Sequence, residues 1–137
     1  DERMKRRSIY FMIKRSKLIP TMQLFDSPEP LVIQGSRPST IIAPQALHFM
    51  NNAQVREAAV ALGAKFEKET DDGAAIAIAY QTVIGRGPTQ VETKSITAFM
   101  GAQAQSYKAA GRNDARKLAL ADLAQVLFGL NEFIYVN

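Results

Sequence analysis

Apolar residues recur at helical spacing from residue 44 onward, and this periodicity constrains the fold more than any other feature of the sequence. Side chains three or four positions apart lie on one face of an α-helix, so each stretch presents an apolar face that has to be buried. The stretches carry Val55, Ala59, Leu62 and Phe66; Ile76, Ala79, Tyr80 and Val83; Ile96, Phe99 and Met100; and Leu120, Leu123, Leu127 and Leu130. We therefore predict a mainly α fold, a bundle of four to five helices preceded by a mixed extended and loop segment.

Residue types that begin and end helices stand at the boundaries of these stretches. Thr89 and Glu92 form the Ser/Thr-x-x-Glu pattern of a capping box, which satisfies two backbone N–H groups at a helix start. Gly111 is placed to end the helix that follows. The other predicted starts are Pro44, Asn51 or Asn52, Asp71 with Asp72, and Asn113 or Asp114.

The first 40 residues differ from the rest of the chain. Residues 8–13 (SIYFMI) are β-branched and aromatic, which favours a buried strand, although a run this short also allows a helix turn. Pro20 can open a short helix through residues 21–25, and the proline-rich residues 26–40 predict a long loop. We therefore separate a segment at residues 1–40 from a helical domain at residues 41–137, both within one structural unit. The last seven residues, NEFIYVN, are expected to be extended.

Composition excludes several kinds of chemistry. The chain has no cysteine and a single histidine, His48, which removes disulfides, thiolate metal sites, thiol nucleophiles and His-rich metal sites. Haem ligation by His48 and Met50 has weak support, because no Cys-x-x-Cys-His is present. We expect no metal or cofactor, and we expect Met12, Met22 and Met50 to fill the core. No run approaches the roughly 18 apolar residues of a membrane span.

Positive charge is concentrated at the start of the chain. Residues 1–17 hold seven basic side chains against two acidic ones, whereas the remaining residues hold ten basic against eleven acidic. Lysine and arginine clusters bind phosphates or acidic polysaccharides, so an anionic-polymer site is one hypothesis. The candidate residues are Arg6, Arg7, Lys14, Arg15 and Lys17. The simpler interpretation, which we favour, is that these residues flank a buried strand and are solvated.

Other polar motifs have structural interpretations that outweigh the functional ones. Asp71 and Asp72 are typical helix caps rather than an acid–base pair. The sequence GRGPTQ precedes a helix start, where an anion can bind, but a helix–helix turn explains it as well. Asp26 and Arg37, in the predicted loop, are the candidates for contributing to a carbohydrate-active site.

Five segments, in order, resemble the C-terminal part of a planctomycete domain of unknown function that accompanies cytochrome-c-like modules. They are RRSIYFMIKR (6–15), LFDSPEP (24–30), APQALHFMNN (43–52), AYQTVIGRGPTQVE (79–92) and LAQVLFGLNEFIYVN (123–137). One departure is Ile13, where the family pattern has an aromatic residue. The resemblance implies the end of a large protein exported to the periplasm or cell exterior, with any haem module upstream of this piece. No family reaction is established, so no catalytic residues carry over.

These observations favour a non-catalytic structural or interaction domain whose partners are the upstream domains of its parent protein. The first residues, Asp-Glu-Arg rather than Met, are consistent with a piece of a longer chain. Two alternatives stay open: an anionic-polymer binding module, and an accessory part of a carbohydrate-active enzyme. The substrate, the ligand and the oligomeric state are not predicted.

Overall fold

A computed structural model describes residues 7–14, 16–27 and 43–135 of the chain, which divides into two compact units, Asp1–Gln45 and Ala46–Asn137. The described residues form a 3₁₀ turn, Ser8–Tyr10, and seven α-helices. The helices are α1 (Pro20–Leu24), α2 (Ala43–Asn51), α3 (Ala53–Phe66), α4 (Asp72–Val83), α5 (Gln90–Ala109), α6 (Ala115–Phe128) and α7 (Asn131–Ile134). The predicted mainly α fold is confirmed. The predicted boundary after residue 40 lies outside the described residues.

Helix α6 is the central element of the second unit, because it contacts α3, α4, α5 and α7. Its Leu120, Leu123 and Leu127 are fully buried and meet Phe66 of α3 and Ile76 of α4 in one core. The remaining buried members of that core are Ala59, Ala75, Ala79, Tyr80, Ile96, Met100 and Ala124. The apolar faces predicted from helical spacing are therefore the faces that pack together.

The predicted caps begin three of the helices. The Asn52 side chain accepts hydrogen bonds from the backbone N–H groups of Gln54 and Val55, at 2.8 and 3.3 Å. Asp71 accepts from the N–H of Ala74 at 2.8 Å. Thr89 and Glu92 make both halves of the capping box, at 3.2 Å and 2.7 Å. Each bond satisfies a backbone donor that has no partner within its own helix.

Other helix boundaries are also placed as predicted. Pro20 opens α1, and Gly111 follows α5 with φ of +76°, in the left-handed region that glycine adopts without strain. Asp114 precedes α6, but its side chain makes no capping bond. Its carboxylate instead pairs with Arg112 at 2.9 Å.

Three local predictions were wrong. Residues 8–13 form no buried strand: Ser8–Tyr10 is a 3₁₀ turn, and Ile9 is 80% exposed. The segment NEFIYVN is not extended at its start, because α7 brings Phe133 against Phe128, with ring centroids 5.1 Å apart. Met12 and Met50 are not core residues but are 76% and 68% exposed. Tertiary contacts decide all three, since a short apolar run specifies neither a strand partner nor burial.

Helices α3 and α6 approach each other closely at Gly63. A Cβ atom added at Gly63 would lie 2.7 Å from the backbone nitrogen of Ala121 and 2.9 Å from its Cα. These are backbone atoms of a packed helix, so they cannot move aside as a flexible side chain can. A residue without a side chain is therefore required where the two helices touch.

We predict that Gly63→Ala destabilises the protein although alanine is the better helix former. Overpacking costs about 1–3 kcal/mol, which exceeds the helix-propensity gain of at most about 1 kcal/mol. Thermal unfolding should show a midpoint lower by roughly 3–8 °C. The matched control is Gly101→Ala in α5, where nothing lies within 4 Å of the added Cβ, so stability should rise. Equal effects of the two substitutions would contradict the close-approach explanation.

Candidate functional site

The most unusual surface of the described chain is a short apolar run, Ile9–Ile13, which we call the N-terminal apolar segment. Ile9, Tyr10, Met12 and Ile13 are 80%, 74%, 76% and 57% exposed, while Phe11 is half-buried. Large apolar side chains that stand singly on a surface are ordinary, whereas a contiguous group of them marks an interaction site. This segment is therefore the candidate functional site.

Local hydrogen bonds shape the first half of this segment and leave the second half open. The N–H of Tyr10 donates to the Arg7 carbonyl, and that of Phe11 donates to the Ser8 carbonyl, both at 3.0 Å. These two bonds make the single 3₁₀ turn. Within the described part of the chain, the N–H groups of Met12 and Ile13 have no protein partner. The segment thus presents both apolar side chains and free backbone donors.

Basic residues stand at both ends of the N-terminal apolar segment. Arg7 caps the 3₁₀ turn, and a tight turn after Ile13 brings Lys14 and Lys17 together through the bond from the Lys17 N–H to the Lys14 carbonyl, at 3.0 Å. All three are exposed, and none pairs with a carboxylate of the described residues. The positive charges of these three side chains are thus exposed to solvent.

The remaining predicted site residues are not brought together in the described structure. Arg6, Arg15 and Arg37 lie outside the described residues. Asp26 follows α1, is half-buried, and has φ of +53°, a left-handed conformation that aspartate tolerates better than most residues. The contribution of Asp26 and Arg37 to a carbohydrate site stays a prediction.

A cluster of paired charges joins three elements of the second unit, and we call it the Arg86 cluster: Arg86, Glu92, Glu132 and Tyr80. Arg86 donates two hydrogen bonds to each carboxylate, at 2.8–2.9 Å, and one to the Gly87 carbonyl at 3.0 Å. Its guanidinium carbon lies 5.5 Å from the centroid of the Tyr80 ring. Because these bonds equal the five N–H donors of arginine, none remains for an external anion. The GRGPTQ sequence is therefore the predicted helix–helix turn.

The Arg86 cluster keeps both of its carboxylates ionised. Hydrogen bonds from Arg86, and then from Thr89, lower the pKa of Glu92 to about 2. The hydrogen bonds from Arg86 are also the main cause of the lowered pKa of Glu132. Carboxylates held this way cannot serve as proton donors near neutral pH. The cluster connects α7, the start of α5 and the α4–α5 turn. Nothing in the sequence indicated that Glu132 pairs with Arg86, because the two residues are 46 positions apart.

A second polar cluster connects α3, α5 and α6. Arg56 donates to Asp122 at 2.7 Å and to the side-chain oxygen of Gln125 at 2.9 Å, and the Tyr107 hydroxyl donates to Asp122 at 2.9 Å. Burial, reinforced by Asp122, raises the pKa of Tyr107. The side-chain amide of Gln125 also donates to the Met50 carbonyl at 2.9 Å, near the end of α2. Mutual saturation of these groups points to a structural role.

Two kinds of site are not found among the described residues. No group of three or more histidine, aspartate or glutamate side chains is placed to hold a metal ion. None of the described helices combines the length and the apolar character that crossing a bilayer requires.

The fold and its surface therefore define a small helical domain with paired charges on its bundle and an exposed apolar segment near its start. A family model described as PSD1, a protein of unknown function (DUF1553), matches residues 1–100. The chain belongs to this planctomycete cytochrome C-associated family, as the resemblance of its segments indicated. The last of the five resembling segments lies beyond the matched residues. No curated protein and no solved structure matches the chain.

We predict that the Arg86 cluster stabilises the fold at neutral pH and loses this effect in acid. Because the folded-state pKa of Glu92 is about 2, below its ordinary 4.5, its contribution is present above about pH 4.5 and disappears as the pH falls towards 2. Arg86→Met should therefore lower the unfolding midpoint at pH 7, and the difference from the unmodified protein should shrink between pH 5 and 2.

The control for this experiment is Arg112→Met, which breaks an exposed pair with Asp114 inside one turn of chain. Such pairs contribute little, so its midpoint should stay close to that of the unmodified protein at pH 7. An effect of Arg86→Met that is constant from pH 7 to pH 2 would contradict the role of the carboxylates.

Proposed function

We propose that this chain is a non-catalytic structural or interaction domain whose N-terminal apolar segment packs against another part of the protein that carries it. The observation behind this proposal is the exposure of Ile9, Tyr10, Met12 and Ile13, at 57–80%. Burying one large apolar side chain contributes about 1.5–3 kcal/mol. Because the four side chains are already partly covered, covering them fully contributes on the order of 4–9 kcal/mol before ordering costs, enough to hold two domains together.

The proposed setting is the C-terminal region of a large, exported, planctomycete-type protein with cytochrome-c-like modules upstream. Family membership supports this setting. In a multidomain chain the partner surface is tethered, so its effective concentration is high and even a small contact area is populated. The segment would then form the contact between this domain and a neighbouring domain.

Two observations weigh against the alternatives. A polyanion would meet Arg7, Lys14 and Lys17 but would leave the apolar side chains between them uncovered. The Arg86 cluster offers no reactive group for an enzymatic role, since its polar groups are saturated by one another, so such a role would rest on Asp26 and Arg37 alone. The apolar segment is therefore better explained by a protein contact.

Site-specific photocrosslinking in the natural host tests this proposal. Benzoylphenylalanine placed at position 10 or 12 of the full-length protein should crosslink to a discrete segment of the same protein. The matched control is position 91, since Val91 is 76% exposed but is followed at i+3 and i+4 on its helix by Lys94 and Ser95. Crosslinks from position 91 should be at least about tenfold weaker, because an isolated exposed residue is no binding site.

Mass spectrometry of the crosslinked product decides the outcome. A reproducible acceptor peptide shared by positions 10 and 12 supports the domain-packing function. The proposal fails if neither position crosslinks above the level of position 91, or if the products are nucleic acid, polysaccharide or lipid.

A further inference from the structure

The cations at the ends of the N-terminal apolar segment, like the lysines of the helical bundle and unlike its arginines, lack a carboxylate partner among the described residues. All four arginines of the bundle, Arg56, Arg86, Arg112 and Arg116, are paired with carboxylates at 2.7–2.9 Å. Arg7, Lys14 and Lys17 have no such partner among the described residues. Three exposed cations without a carboxylate partner among the described residues therefore flank the apolar segment.

From an exposed apolar run with unpaired cations at both of its ends, we infer that the N-terminal apolar segment binds in an apolar groove of a protein surface whose rim carries aspartate or glutamate side chains at both ends. The inference rests on the proposed function and adds the chemistry of the partner. Covering Ile9, Tyr10, Met12 and Ile13 brings the rim of the groove to Arg7 at one end and to Lys14 and Lys17 at the other. Desolvating these cations without carboxylates would oppose binding.

The N-terminal apolar segment of a second copy does not fit that description. Two N-terminal apolar segments packed against each other would bring Arg7, Lys14 and Lys17 of one copy towards the same cations of the other. Like charges facing each other across an interface destabilise it strongly. The partner surface is therefore of the opposite charge.

The backbone of the segment favours a protein groove over a lipid surface. The N–H groups of Met12 and Ile13 have no hydrogen-bond partner within the described part of the chain. Lipid hydrocarbon offers no acceptor for such groups, and leaving them unsatisfied there is costly. A groove in a protein can pair an extended stretch of backbone while its pockets receive the side chains.

Carbodiimide coupling tests the acidic rim in the full-length protein within its natural host, because this zero-length reagent joins a lysine amine only to a carboxylate in contact with it. We expect Lys14 or Lys17 to couple to an aspartate or glutamate close in sequence to the acceptor of the position-10 photocrosslink. The double variant K14R/K17R keeps both charges but removes both amines. It should lose the coupling and retain the photocrosslink.

Charge reversal provides the second measurement. The variant K14E/K17E should lower the yield of the position-10 photocrosslink about tenfold or more, since it places like charges against the rim. The matched control K94E/K108E makes the same change in net charge at exposed lysines of α5, and its yield should equal that of the unmodified protein.

The two proposals fail in different ways. A protein acceptor at position 10 combined with no carbodiimide product, and with unchanged yield in K14E/K17E, would overturn the acidic rim while leaving domain packing intact. Absence of any protein acceptor at positions 10 and 12, or attachment of lipid there, would overturn both.

Discussion

The contact between α3 and α6 at Gly63 is the constraint on which the helical bundle depends. Because the backbone of Ala121 lies where a Cβ of residue 63 would be, the two helices are closer than side chains would allow. Ala59 of α3 and Ala124 of α6 are both fully buried in the core that these helices share. The leucines of α6 are then directed to a core that α4 and α5 complete.

Polar clusters around this core connect elements that are distant in sequence. The Arg86 cluster joins α7 to the start of α5, and Arg56 with Asp122 joins α3 to α6. Arg116 adds a bond to the Glu69 carbonyl and a pair with Asp72, which ties α6 to the start of α4. The polar groups of these clusters satisfy one another, which favours a structural role for each cluster.

The N-terminal apolar segment has no comparable polar cluster among the described residues. Its side chains are exposed, its cations are unmatched, and part of its backbone has no partner among the described residues. Apolar side chains in contact with water are unfavourable, so covering this surface with another apolar surface lowers the free energy. The matched family is of unknown function, and the surface of this member that stands out is the exposed apolar segment.

Much of the helical bundle was predictable from sequence, because caps and helical spacing are local signals. Asn52, Asp71 and the Thr89–Glu92 box act within four residues, so the chain itself specifies where these helices begin. What the sequence determined alone was this series of helices with their buried faces, the absence of cysteine chemistry, and the concentration of cations near residue 14. Only the tertiary structure decided that Ile9 and Met12 are exposed, that Glu132 meets Arg86, and that Gly63 touches Ala121. The reason is that burial, ion pairing and close packing depend on residues far apart in the chain. A local sequence pattern does not specify which distant residues will contact it.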